Sequence, residues 1–184
     1  AYPHNNPMLL LLYLSIPYYI LQLLLGLLCG FYWHRLSKPL KAFAALVWAG
    51  IANQIAMEVL AWNKLPYSGL MNVYDIWDCF LCCLFYFVLF RKKLFKGAAV
   101  LAYLLFLFTL IFASFRGFHL FRSQQFVIFS VEAVLIICLS LLYYLEVFLT
   151  WEYEKLHYVP EFWIVSANLF FFGATWVVML SYQL

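Results

Sequence analysis

Charge is what this sequence has least of. Only 10% of its 184 residues are Asp, Glu, Lys or Arg, 68% are hydrophobic, and the mean hydropathy is +0.94. Soluble domains carry roughly 25% charged residues, so this chain lacks the polar surface needed to face water. No polar stretch is long enough for a separate soluble domain, and residues 1–184 read as a single membrane domain. The net charge of +3 is split among short basic clusters between apolar runs, a topology pattern that excludes a nucleic-acid partner. Alternating apolar and polar residues, the mark of a membrane barrel strand, are missing, and so is any obvious internal repeat. Histidine is confined to His4, His34, His119 and His157, in loops or at ends, so no span supplies an imidazole for a metal site. The start, AYPHNNPM, has neither an initiator Met nor a basic n-region. The first apolar run is too long for a signal-peptide core and is expected to span.

Apolar length is what the chain has in abundance. A bilayer core needs about 20 apolar residues per helix. Six segments meet that test: 9–33, 40–62, 69–90, 95–115, 125–149 and 161–184. They predict an all-α integral membrane bundle of six transmembrane helices. The closing SYQL ends the sixth run abruptly, leaving room for a seventh helix beyond Leu184. Pro39 and Pro160 fall where helices should begin, positions that suit their missing N–H. The first, third and fifth connections hold eight Lys and Arg residues, and the second and fourth hold three. The odd connections are therefore expected in the cytoplasm and the N-terminus outside.

The polar residues inside these runs are few enough to weigh singly. Asn72–Cys83 reads NVYDIWDCFLCC, with Asp75 and Asp78 about one turn apart on one face of the third helix. Glu58 lies near the outer end of the second helix and Glu132 two turns into the fifth. At 1.5 Å per residue all four acids fall within roughly 5–15 Å of the outer boundary. Asn53, Gln54 and Asn72 lie within a turn or so of them. An Asp at a span centre costs roughly 2.5–3.5 kcal/mol on insertion, so such groups usually face a bundle interior or water. The seven residues are candidate ligand- or ion-binding positions, able to hold a shared proton, a metal ion or the cationic part of a ligand. The plainer alternative is that Glu58 and Asp75 are solvated edges, with Asp78 and Glu132 bonding between helices for about 1–2 kcal/mol. Arg116 and Arg122, in the next outer connection, could also neutralise the acids.

Cys79, Cys82 and Cys83 spell C-x-x-C-C, but a tetrahedral zinc site needs four convergent ligands. They read as small apolar residues that let helices approach, as do Cys29 and Cys138. Pro17 should kink the first helix above Gln22. Glu146 belongs to the inner end of the fifth helix, within approach of Arg91–Lys93. Ser166, Asn168 and Gly173 look like a small-and-polar contact face.

The order KPLKAFAALVWAGIANQIAMEVL, LMNVYDIWDCFLCCLFYFVLFRKK, FSVEAVLIICLSLLYYLEVF and PEFWIVSANLFFFGATW resembles an uncharacterised family of small polytopic inner-membrane proteins of Bacteroidota. The resemblance covers most of the chain. It implies acids in the second, third and fifth helices at Glu58, Asp78 and Glu132, with Asp78 where the family more usually has Glu. It also implies a seventh helix and no known activity. The leading functional expectation is a receptor, signalling or assembly subunit of the inner membrane, binding a small ligand or cation in an outward-facing acidic pocket. A proton- or cation-coupled carrier and a purely structural subunit are the alternatives. An enzyme is the least supported, since acid–base chemistry would rest on Asp75, Asp78 and Glu132 alone and no catalytic residue stands out. The residues name no cofactor. The expected partners are the bilayer and a second protein chain or a second copy.

Overall fold

The computed structural model describes residues 7–66, 68–115, 126–150 and 158–181. Six helices account for almost all of them: α1 (Pro7–Phe31), α2 (Lys38–Trp62), α3 (Ser68–Leu89), α4 (Lys93–Phe115), α5 (Phe126–Thr150) and α6 (Pro160–Ser181). α2 to α6 are each long and apolar enough to cross a membrane; the apolar stretch Tyr19–Phe31 of α1 is shorter. The expected runs and the observed helices agree to within two residues at the described ends; a 3₁₀ turn at Trp33–Arg35 follows α1, and residues 182–184 of the sixth run lie outside the described residues.

The helix ends follow local chemistry. Ser37 caps α2 by accepting from the Leu40 N–H, with Pro39 in the first turn, and Pro160 opens α6. α2 closes in a Schellman pattern, with the Leu65 N–H on the Leu60 carbonyl and the Lys64 N–H on that of Ala61. Lys64 takes the left-handed position at φ 54°, where glycine is usual.

α3 and α5 form the middle of the bundle. α3 packs against α2, α4 and α5, and α5 against α3, α4 and α6, while α1 rests chiefly on α2. Buried positions recur every three or four residues: Cys79, Cys82, Cys83 and Tyr86 on α3; Ala99, Ala102 and Phe106 on α4; Ala133, Ile136 and Leu139 on α5. Each helix therefore gives one stripe to the core and leaves large apolar side chains outward, such as Leu21, Leu101, Phe108 and Phe170. That exterior suits a bilayer.

Two small-residue readings need correcting. A Cβ on Gly173 would meet nothing within 4 Å, so that glycine makes no close helix contact. Cys138 is exposed on the side of α5 and does not mediate packing, unlike the buried Cys79, Cys82 and Cys83.

Candidate functional site

Two polar levels join α3 to α5, and a third joins the connection after α3 to the end of α5. At the first, the carboxyl groups of Asp78 and Glu132 come within interaction range of each other, and the Tyr74 hydroxyl donates to Asp78 Oδ1 at 3.0 Å. Two turns further along, the hydroxyls of Tyr86 and Ser140 meet at 2.6 Å, with Asn168 of α6 close to Tyr86. At the far end, Glu146 accepts from the backbone N–H of Arg91 at 3.1 and 3.2 Å and from that of Lys92 at 2.6 Å. The partners lie 54 or 55 residues apart at every level, so α3 and α5 run in the same direction in one register. A shorter link, Tyr144 to Ser166 at 2.6 Å, ties α5 to α6.

The first level is the most demanding chemically. Glu132 is 1% exposed and its Oε1 has no hydrogen-bond partner. Asp75, half-buried a turn away on α3, is within electrostatic reach of Asp78 and Glu132, and the Cys83 thiol is within reach of Glu132. Asn72 is buried one turn before Asp75.

The expected layer of four acids resolves into two sites. Asp75, Asp78 and Glu132 gather between α3 and α5. Glu58 faces α1 instead, where the Tyr19 hydroxyl donates to its Oε1 at 3.0 Å. Gln54 donates to Tyr19 at 3.0 Å and to Glu58 at 3.5 Å. This group lines an apolar groove of about 280 Å³ between α1 and α2. Asn53, on α2, reaches only Met57 Sδ with its amide nitrogen, at 3.5 Å, and its buried oxygen is unpartnered.

Gly50 stands between the two sites. A Cβ there would lie 3.0 Å from Gln22 Nε2 of α1 and 3.3 Å from the Tyr74 hydroxyl of α3. Tyr74, Tyr86 and Ser140 were not foreseen as site residues; the i, i+4 spacing of Tyr74 to Asp78 was the available signal. Arg116 and Arg122, proposed as neutralising charges, lie outside the described residues. Among the described residues, no group of three or more His, Cys, Asp and Glu side chains is arranged to hold a metal ion.

Comparison with protein-family models, with curated proteins and with solved structures finds no match for this chain. The helices themselves define the class: a multi-pass, all-helical membrane protein, with Glu132 and Glu146 of α5 buried in the bundle.

Proposed function

We propose that this chain is an inner-membrane receptor or assembly subunit that binds a cation, or the cationic head of a small ligand, at the Asp78–Glu132 pair. Asp75 guards the approach from the outer side. The reading places it with the Bacteroidota proteins it resembles, with its N-terminus outside and a partner chain or second copy beside it. The orientation is supported by the basic residues Arg35, Lys38, Lys41 and Arg91–Lys93 at the end away from the acid pair.

The observation that carries the reading is the orphaned Glu132 Oε1. Leaving a buried acceptor without a donor costs about 1–3 kcal/mol. A protonated amine would supply the missing donor, and a small cation would supply a counter-charge for the neighbouring carboxyls. Sodium, potassium and methylammonium are suitable probes on the purified protein in detergent. At least one is expected to raise the unfolding temperature, because a ligand at a hundred times its Kd stabilises by about 2.7 kcal/mol. Glu132→Gln and Asp78→Asn are expected to abolish that response while remaining folded; an equal response in both variants would refute the site.

One observation favours the carrier as a second reading. The polar levels continue past the acid pair, through Tyr86, Ser140 and Asn168, to Glu146 at the other end of α5. Flux of the stabilising cation into sealed vesicles, lost in Glu132→Gln, separates a carrier from a receptor, which binds without flux.

A further inference from the structure

A second built site lies at the opposite end of the bundle, independent of the acid pair. There the starts of α2, α4 and α6 meet the ends of α3 and α5 around a cavity of about 430 Å³. That volume lies within the range of small-molecule sites. Its wall is half polar and half apolar. Arg91, Lys96, Tyr143, Glu146 and Glu161 supply most of the polar part.

The two acids of this wall are turned to internal tasks. Both Glu146 oxygens accept from the backbone N–H groups of Arg91 and Lys92, and the Ser37 hydroxyl donates to Glu161 Oε1 at 2.6 Å. The cations of the wall are anchored differently. Arg91 is exposed, and Lys96 holds its ammonium 5.6 Å over the Phe87 ring. Arg35, Lys38, Lys41, Lys92 and Lys93 lie at the same end, which carries seven basic and two acidic side chains among the described residues. The excess survives when residues 151–157 are added from the sequence.

We propose that this cavity binds a phosphate-bearing anion, with the phosphate against Arg91 and Lys96 and the attached carbon skeleton on the apolar half. A guanidinium fork matches phosphate oxygens in pairs, and an ammonium adds a point charge. Basic pockets between membrane helices are established seats for anionic lipid headgroups. A wall apolar on one side fits the glycerol and first acyl carbons of such a lipid, although a soluble organic phosphate presents the same chemistry.

The test measures thermal stability of the full chain in nanodiscs of phosphatidylglycerol or phosphatidylcholine with identical acyl chains, and separately in detergent with glycerol phosphate added. The wild type is expected to be more stable in phosphatidylglycerol, with the preference weakened by salt. Competition binding of a labelled phosphatidylglycerol should show affinity falling roughly fivefold for each of Arg91→Gln and Lys96→Gln. Lys41→Gln, at the same end but off the cavity wall, should leave it unchanged. Stabilisation by glycerol phosphate alone, lost in the same two variants, upholds the site and assigns it a soluble ligand. The proposal fails if neither ligand is preferred, or if Lys41→Gln weakens binding as much as Arg91→Gln, since the attraction would then be that of a basic surface. Both substitutions keep the backbone N–H groups that Glu146 accepts from, and Lys96→Gln provides the reading should Arg91→Gln fold poorly.

Discussion

A carboxylate deep in an apolar bundle is tolerated where donors surround it, and Glu146 and Glu132 stand at opposite ends of that condition. Glu146, 5% exposed, is fully engaged by backbone N–H groups. Glu146→Ala should cost about 2–3 kcal/mol by leaving those donors bare, read as a lower unfolding midpoint in detergent. Glu132 has a free oxygen and gains less from its setting. Removing both partners, as in Asp78→Leu with Glu132→Met, should leave stability within about 1 kcal/mol of wild type or raise it. A loss as large as that of Glu146→Ala would make the pair a structural strut. Depth was legible in the sequence for these residues, because helical rise converts residue number into ångströms. Rotation about each helix axis was not, which is why Glu58 was grouped with acids it does not meet and Tyr74 was passed over.

Among whole helices, the spans were the most legible feature, since apolar length alone fixes them and Pro39, Ser37 and Pro160 mark two of the starts. Lateral contacts were less so, because glycine looks the same in a sequence whether it faces a neighbour or open space. Gly50→Ala would press on Gln22 and on Tyr74, whose hydroxyl is already committed to Asp78, so a cost of about 1–2 kcal/mol is expected. Gly173→Ala meets nothing and should change stability by less than about 0.5 kcal/mol. Equal effects from the two substitutions, measured by thermal unfolding, would contradict the packing described. Lys64 offers a gain: glycine in its left-handed position should stabilise the α2 end by about 1 kcal/mol.

Across the whole molecule the two ends differ in charge, with carboxyls grouped between α3 and α5 at one and seven basic side chains at the other. The parallel register of α3 and α5 connects them through the Tyr86–Ser140 pair, and no feature of the sequence announced that register, since it depends on which helices become neighbours. The claim on which the functional account rests is that the acid pair holds a positively charged guest. Native mass spectrometry of wild type and Glu132→Gln, each taken gently from its own membranes, tests it most directly. The account predicts a stoichiometric cation or basic molecule on the wild type that is missing from Glu132→Gln, while any partner chain or bound lipid is retained by both. Identical spectra for the two proteins, with no such guest on either, would contradict it.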